Sequence, residues 1–575
     1  MFQATPSGLL VPTGLVLGNS LVPFGAGPTE DDHRVVRALG AVPTYEDLWD
    51  GDRPGLDELI GQVPAQLWVR FLSVLATLLS RENVDQTTKY AIFREVLQPQ
   101  QRERLERFLT STHTAFPITE FPVLLLMEVA AARAEVSATP PERIEPESLE
   151  RMVRAIYVVW SHLVASTDER IREDPAGIAA ALNERSLMGS PIRRVLTGFG
   201  LWAWEHGDLD ESARAARGAF DEHLRSVYSL SLVEWVTGIA LATFISQNQP
   251  PEEVVTSPIF ITPGRPDLTS HGHDLLSRCM ERLSTTTEDL RQACLELDED
   301  ADLLTEPSLL ALKRTPCLRT LGAPPAFRPI SPVHLAEAAV ERPLVERSLP
   351  AESRAAARTE YGSVVEGYVH GLLRGLFGDR YQRLPPIQGR KRAEGVIWFP
   401  NGFLVVECKA RRASELIRYH AREDGGYFEE LVRSGLKTAV EQVLATTEDV
   451  LSGDIPFPGP LAPAIAGSLV VFLQDLALSP VSRSVLDRIL PRSRTTEGVA
   501  HLRPQLISLE RLEELDKWFD LDLLAELRAK MSDDDVSLEC LNNYLLHEGQ
   551  TPSTSAVRDQ IWQSLRQHLR PCLTE

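Results

Sequence analysis

The sequence predicts a multidomain protein in which a mainly α-helical N-terminal region precedes an α/β domain with a mixed central sheet. Three observations lead to this prediction. The chain has 575 residues, which is more than a single hydrophobic core normally organises. Apolar residues recur at three- and four-residue spacing over residues 56–244, as they do in amphipathic helices. From residue 359 onward, apolar strand-like runs alternate with helical segments.

The N-terminal region contains little strand-like alternation. Its helical segments are predicted at residues 66–80, 87–97, 101–111, 122–136, 147–166 and 212–230. No fixed-period repeat is evident, so a solenoid stays an open alternative. Prolines interrupt the pattern over residues 249–272, as a long loop or a subdomain boundary, and helical periodicity returns over residues 273–312.

A second proline-rich stretch, residues 316–355, is predicted to be a linker. The predicted organisation is therefore a helical region over residues 1–315, the linker over 316–355, an α/β domain over 356–525 and a C-terminal helical tail over 526–575.

The predicted α/β domain is organised around a hairpin. Its two strands flank Pro400-Asn401-Gly402, and Asn-Gly favours a tight turn because both residues tolerate positive φ. The elements predicted around this turn are a helix at 359–377, strands at 394–399 and 403–408, a helix at 429–451, a buried strand at 468–474, a strand at 505–509 and a helix at 510–519.

Two carboxylates and one ammonium are predicted to meet at one end of this hairpin. Glu407 and Lys409 close the second strand, and they share a face because side chains alternate along a strand. Glu394 opens the first strand and therefore lies at the same end. Carboxylates bind Mg²⁺, which prefers oxygen ligands, and a lysine can position water or stabilise charge on a phosphate. The pattern is typical of metal-assisted phosphodiester hydrolysis.

The acid-x-Lys tripeptide that ends at Lys409 is informative only because of its position at the end of a hairpin strand. With seven lysines in the chain, about one acid-x-Lys tripeptide is expected by chance. In its setting, the segment over about residues 356–525 resembles the PD-(D/E)xK, or restriction-endonuclease-like, nuclease superfamily. The resemblance matches Glu394 to the family's first acid and Glu407 with Lys409 to its (D/E)xK. It also matches Glu366 to a metal-assisting glutamate on the preceding helix, and Gln442 to a supporting glutamine on the following helix.

The resemblance implies a Mg²⁺-dependent endonuclease with Glu366, Glu394 and Glu407 as metal ligands and with Mn²⁺ able to substitute. One departure is that the first acid is usually aspartate. The sequence around Glu394 is Ala-Glu-Gly-Val, which leaves a degraded or altered site open. A catalytically inactive nuclease-fold platform for protein interactions is therefore one alternative, and a nuclease that cleaves RNA or branched DNA is another.

Basic residues surround the predicted site. Between Arg374 and Arg422, eleven lysines and arginines outnumber four acids, an excess of seven positive charges. The residues predicted to bind nucleic-acid phosphates are Arg390, Lys391, Arg392, Arg411 and Arg412. The net charge of the whole chain is −22, which disfavours a general nucleic-acid coat protein. A solvated arginine-rich surface is the alternative interpretation of the cluster.

The sequence thus predicts a nuclease, with DNA as the favoured substrate, whose helical N-terminal region is a regulatory or partner-binding module. This arrangement resembles effectors of bacterial restriction and anti-phage defence systems. Phosphate-loop, dinucleotide-binding and serine-hydrolase motifs are absent from the sequence, which disfavours those enzyme classes.

Location and other candidate sites are predicted from the same sequence. No apolar run reaches about 18 residues, so no membrane span is expected. Scattered cysteines suit a reducing cytoplasm. His271, His273 and Cys279 match no zinc pattern. Tyr361 and His370, which flank Glu366, are interpreted as packing or surface residues, with contact to the substrate as the alternative.

Overall fold

The fold was taken from a computed structural model. It describes residues 2–4, 10–12, 14–17, 20–23, 45–80, 97–112, 120–138, 144–165, 191–204, 211–248, 265–300, 303–304, 309–320, 325–340, 354–385, 387, 391–410, 435–458, 462–473, 489–518, 522–531 and 554–574.

Helices dominate the described residues. The α-helices are α1 Tyr45–Leu48, α2 Leu56–Gly61, α3 Ala65–Leu79, α4 Pro99–Thr112, α5 Glu120–Arg133, α6 Pro146–Ala165, α7 Pro191–Trp202, α8 Glu211–Tyr228, α9 Leu232–Asn248, α10 Ser270–Leu283, α11 Thr287–Asp300, α12 Leu310–Arg314, α13 Pro332–Val340, α14 Arg354–Phe377, α15 Lys437–Ser452, α16 Leu509–Leu512, α17 Leu523–Met531 and α18 Ala556–Leu569. Short 3₁₀ turns occupy Gly378–Arg380, Leu515–Trp518 and Arg570–Cys572.

The strands fall into one large sheet and three small ones. They are β1 Phe2–Ala4, β2 Leu10–Pro12, β3 Gly14–Leu17, β4 Ser20–Pro23, β5 Ser284–Thr285, β6 Cys317–Arg319, β7 Phe327–Pro329, β8 Tyr381–Arg383, β9 Gly395–Phe399, β10 Gly402–Lys409, β11 Ile465–Phe472, β12 Arg494–Thr496, β13 Val499–His501 and β14 Gln505–Ser508. β1 pairs with β2 and β3 with β4, while β5, β6 and β7 form a three-stranded sheet.

The large sheet contains seven strands in the order β12-β13-β11-β10-β9-β8, and β14 also pairs with β11. β9 pairs antiparallel with both β8 and β10, and β12 pairs antiparallel with β13, whereas β10, β13 and β14 each run parallel to β11. The chain passes from β10 to β11 through α15, as a parallel pair requires. The predicted helical region followed by a mixed sheet is therefore confirmed at this level.

The predicted hairpin is present, but the expectation of positive φ in its turn is wrong. Pro400 and Asn401 form the turn, Gly402 pairs with Phe399, and neither Asn401 nor Gly402 has a positive φ. Gly402 is needed for a different reason. A Cβ there would lie 2.2 Å from the backbone oxygen of Ile465 in the neighbouring strand.

The predicted linker differs from the structure wherever the structure describes it. Within residues 316–355, β6 and β7 form part of a sheet and α13 is buried along its whole length. Proline is compatible with these elements, because Pro332 occupies the first turn of α13, where its missing N–H has no intrahelical partner. Residues 341–353 lie outside the described residues.

The central sheet is covered on both faces. Residues Leu404, Val406 and Cys408 of β10 pack into a large core that also contains α7, α9, α10, α13, α14 and α18. Phe403 and Val405, which point the other way, pack into a smaller core with α15. A third core joins α3, α5 and α6 to residues 290–333. The largest core therefore contains residues from both sides of the predicted linker.

A buried ionic cluster joins distant parts of this core. The carboxylate of Glu513 is fully buried and accepts hydrogen bonds from Tyr368 on α14 (3.0 Å) and Thr197 on α7 (2.9 Å). Arg558 on α18 forms an ion pair with the same carboxylate at 3.0 Å. Burial raises the pKa of Glu513 to about 7, against the opposing effect of Arg558.

No single helix in the described part of the chain is long and apolar enough to cross a membrane; α8 and α9 pass that test only together, with a 70° bend between them.

Five cysteines are described, and all five are free thiols in buried positions.

Candidate functional site

The candidate site lies at the end of the central sheet where β10 ends and β9 begins. Glu407 and Lys409 are odd-numbered residues of β10, so they share the face that packs against α15. Glu394 immediately precedes β9. Its backbone N–H donates to the Val406 oxygen at 3.1 Å, which fixes it beside the end of β10. Its own carbonyl accepts from the N–H of Leu384, which follows β8, at 2.9 Å.

The two helices that cover the sheet each contribute to this end. Gln442 extends from α15, and its Oε1 accepts a hydrogen bond from Lys409 Nζ at 2.8 Å. Lys409 also forms an ion pair with Glu407 Oε1. On the other side of the sheet, Glu366 extends from α14 and forms an ion pair with Arg383 of β8 at 3.1 Å. The structure thus brings together Glu366, Glu394, Glu407, Lys409 and Gln442, which were selected from the sequence.

The carboxylates at this site are short of compensating charge. Glu407 is fully buried, and its Oε2 has no hydrogen-bond partner among the described residues. The same holds for Oε2 of the partly buried Glu394. Burial raises the pKa of Glu407, while Lys409 opposes the shift. Burial also raises the pKa of Glu394, and the negative charges of Glu407 and Glu366 raise it further.

Glu366 is in a different electrostatic environment. A hydrogen bond with His370 is the main cause that lowers its pKa, and the positive charge of Arg383 acts in the same direction. His370 lies one helical turn beyond Glu366, with its Nε2 3.4 Å from Glu366 Oε1, and its Nδ1 contacts the Tyr381 hydroxyl. Glu366 is therefore held in its charged form beside two carboxyl groups that resist ionisation.

A divalent cation fits these residues. Within the described residues, the ligand atoms of Glu366, His370 and Glu394 lie within 4.8 Å of one another. Glu394, which has an unpartnered oxygen, is a member of this group. Glu407 is not a member, but its charge is close enough to raise the pKa of Glu394. Hard cations such as Mg²⁺ are bound by carboxylate oxygens of this kind, and a bound cation would offset the charge repulsion that raises both pKa values.

The predicted basic cluster is described only in part. Lys391 is exposed and forms an ion pair with Glu441 on α15 at 2.6 Å. The side chain of Arg392 is half-buried, and its backbone oxygen accepts from Gln442 Nε2 at 3.1 Å. Arg390, Arg411 and Arg412 lie outside the described residues. The phosphate-binding role of this cluster stays a prediction.

The structure separates the two residues that the sequence had grouped as packing or surface residues. Tyr361 is buried in the large core, and its hydroxyl donates to the Val340 oxygen at 3.2 Å. His370 instead lies at the site, and Tyr381 beside it was missed altogether. The spacing of four residues between Glu366 and His370 on a helix was the available signal for His370. No local signal identified Tyr381, because it reaches the site from a strand of only three residues.

The chain was compared with known proteins, and no family model, no curated protein and no solved structure matches it.

Proposed function

We propose that this protein is a divalent-metal-dependent nuclease that hydrolyses phosphodiester bonds, with DNA as the favoured substrate, and that residues 356–525 form a PD-(D/E)xK domain. One observation carries the proposal. Three carboxylates, a lysine and a glutamine, carried by α14, by the residue before β9, by β10 and by α15, converge at one sheet end. Two of the carboxylate oxygens there have no partner among the described residues. Carboxylates can hold a cation that activates water, and a lysine beside them can stabilise charge on a phosphate, so the groups suit phosphoryl chemistry at a metal centre.

Glu366, Glu394 and Glu407 would hold Mg²⁺ or Mn²⁺. When bound, the cation supplies a Lewis acid and a water of lowered pKa. Hydrolysis forms one P–O bond from water and breaks the P–O bond to the leaving oxygen. Lys409 is placed to orient the attacking water or to stabilise negative charge on the phosphate, because Glu407 and Gln442 hold its ammonium at the site. Gln442 acts through Lys409 and is a positioning residue.

Glu394 in place of aspartate is compatible with this role. Its position beside β10 is fixed by backbone hydrogen bonds on both sides, and its Oε2 is buried within the constellation. The longer side chain therefore reaches the same region as Glu366 and Glu407. The alternative of an inactive platform predicts that the constellation binds no divalent cation.

The helical region would act as a regulatory or partner-binding module, as in an effector of bacterial restriction or anti-phage defence. Support for communication between the regions comes from the buried cluster around Glu513. It joins α7 in the helical region to α14, which carries Glu366.

The proposal is tested by incubating the full chain with plasmid, linear duplex, single-stranded DNA and RNA, each with Mg²⁺, Mn²⁺ or EDTA. Glu407→Gln and Lys409→Met should abolish cleavage. Lys437→Met is the matched control, because Lys437 is an exposed lysine at the start of α15. Metal-dependent cleavage that survives in Lys437→Met and disappears in the other two variants supports the nuclease. Absence of both cleavage and cation binding favours the platform.

A further inference from the structure

The two ring nitrogens of His370 have different surroundings. Nδ1 contacts the Tyr381 hydroxyl, while Nε2 points toward Glu366, 3.4 Å from its Oε1. The ligand atoms of His370, Glu366 and Glu394 all lie within 4.8 Å of one another. His370 is itself buried, at 7% exposure, so its imidazole is committed to these partners rather than to solvent.

This arrangement matches the way in which proteins hold metal-binding histidines. One ring nitrogen of such a histidine binds the metal, and the other donates its hydrogen to an orienting group. In one tautomer of His370, Nε2–H donates to Glu366, which is the hydrogen bond that lowers the pKa of Glu366. In the other, Nδ1–H donates to the Tyr381 oxygen, and Nε2 presents its lone pair toward the carboxylates of Glu366 and Glu394. A lone pair facing two carboxylates is unfavourable by itself and becomes favourable when a cation lies among the three groups.

The ring of Tyr381 packs against Gly395, where a side chain would not fit. Gly395 opens β9 directly after Glu394, and a Cβ at this glycine would lie 2.5 Å from the Tyr381 oxygen and 2.6 Å from its Cε2. A larger residue at position 395 would therefore displace Tyr381 from His370. Independently, the fully buried Glu407 has an oxygen without a partner among the described residues, which also points to a cation at this end of the sheet.

We propose that His370 binds the catalytic cation through Nε2, together with Glu366 and Glu394, and that this imidazole makes the site prefer Mn²⁺ to Mg²⁺. The inference rests on the proposed function, since it concerns the same cation. Mg²⁺ favours an all-oxygen shell, whereas imidazole is a better ligand for later divalent metals. Tyr381 is a positioning residue that sets which nitrogen of His370 carries the hydrogen.

Mn²⁺ binding to the full chain provides the test, because it can be followed by electron paramagnetic resonance without any substrate. The wild type should bind Mn²⁺ at least about tenfold more tightly than Mg²⁺, measured by competition. Its pulsed spectrum should show coupling of the bound Mn²⁺ to a nitrogen nucleus. His370→Ala should remove the coupling and most of the preference, leaving Mg²⁺ affinity nearly unchanged. Tyr381→Phe should weaken Mn²⁺ binding about tenfold.

His271→Ala is the matched control, because His271 is exposed at the start of α10. Wild-type protein that binds Mn²⁺ without nitrogen coupling overturns the inference even if His370→Ala fails to fold. Binding that is lost in Glu407→Gln but unchanged in His370→Ala overturns the inference and leaves the proposed nuclease standing. Wild-type protein that binds neither cation overturns both.

Discussion

Lys409 Nζ lies 2.8 Å from Gln442 Oε1, although 33 positions separate the two residues in the chain. The amide of Gln442 is oriented by a second contact, since its Nε2 donates to the backbone oxygen of Arg392 at 3.1 Å. Its oxygen therefore faces the ammonium rather than solvent. Strand β10 carries Lys409 and Glu407, and Gln442 on helix α15 orients the ammonium group of Lys409.

Replacing Gln442 tests this relationship. We expect Gln442→Ala to lower the maximal cleavage rate about tenfold with little change in substrate affinity, because Lys409 loses an orienting partner but keeps Glu407. Leu444→Ala, at an exposed position on the same helix, should cleave like the wild type. The measurement is steady-state cleavage of a labelled substrate. An unchanged cleavage rate in Gln442→Ala would show that Gln442 has no role in catalysis.

Stability of the metal-free protein should depend on pH in a defined direction. The raised pKa values of Glu394 and Glu407 mean that the folded protein retains protons that the unfolded chain releases above a pKa of about 4.3. Their contribution to the free energy of unfolding is therefore complete below that pKa and is lost as the pH rises through the raised values. In EDTA, the melting temperature of the wild type should fall with rising pH more steeply than that of Glu394→Gln. Calorimetry at several pH values checks this, and parallel curves would contradict it.

Replacing Glu441 and replacing Lys391 should change the affinity for nucleic acid in opposite directions. The two form an exposed ion pair at 2.6 Å, so the acid competes with phosphate for the ammonium. Glu441→Gln should therefore strengthen DNA binding, and Lys391→Ala should weaken it and reduce the salt slope by about one. Fluorescence anisotropy across a salt series, with Ca²⁺ in place of Mg²⁺ to limit cleavage, measures both. Equal affinities for the two variants would exclude Lys391 from the interface.

Two glycines provide a matched pair for stability. Gly402→Ala places a Cβ 2.2 Å from the Ile465 oxygen, which is backbone and cannot move cheaply, so a loss of about 2–3 kcal/mol is expected. Gly362→Ala on helix α14 meets nothing within 4 Å and should stabilise by about 0.5–1 kcal/mol, since alanine is the better helix former. Urea unfolding distinguishes the two. Similar effects would mean that β10 and β11 can separate locally.

The buried cluster makes a further prediction. Arg558→Met leaves the fully buried Glu513 without its cation and should destabilise the protein by about 3–5 kcal/mol at pH 8. Because burial already raises the pKa of Glu513, lowering the pH protonates it and should shrink the difference from the wild type. Denaturant unfolding at pH 8 and at pH 5.5 gives this comparison. Arg558→Met/Glu513→Gln should recover most of the loss at both pH values.

The local part of the architecture could be predicted from the sequence. Helices α3, α6 and α8 show the three- and four-residue periodicity of one buried face, whereas α5 is apolar because it is buried on all sides. The hairpin shows two apolar strands around a turn. Glu394, Glu407 and Lys409 could be placed together because alternation along one hairpin decides their faces. The placement of Glu366 and Gln442 required a family resemblance, since their distances to the hairpin depend on how α14 and α15 pack.

What the sequence could not predict depends on distant contacts. Strands β8, β12 and β13 have three residues each, too few to show a period. Prolines in residues 316–340 indicated a linker because their local effect is the same in a loop and in the first turn of a helix. The role of His370 depends on Tyr381 and Glu394, which reach it only through the sheet.

The pairing of residues near 268 with those near 573 has a consequence for how the chain acquires its structure. Leu268 bridges Leu573, the N–H of Thr269 donates to the Cys572 oxygen at 3.0 Å, and α18 completes the large core beside α7. During synthesis, α7, α9 and α10 can pack against one another and α7 and α9 against α13, but the parts of these helices that contact residues 556–572 stay uncovered until the end of the chain is made. Such late closure predicts slow folding and a nascent chain that depends on chaperones.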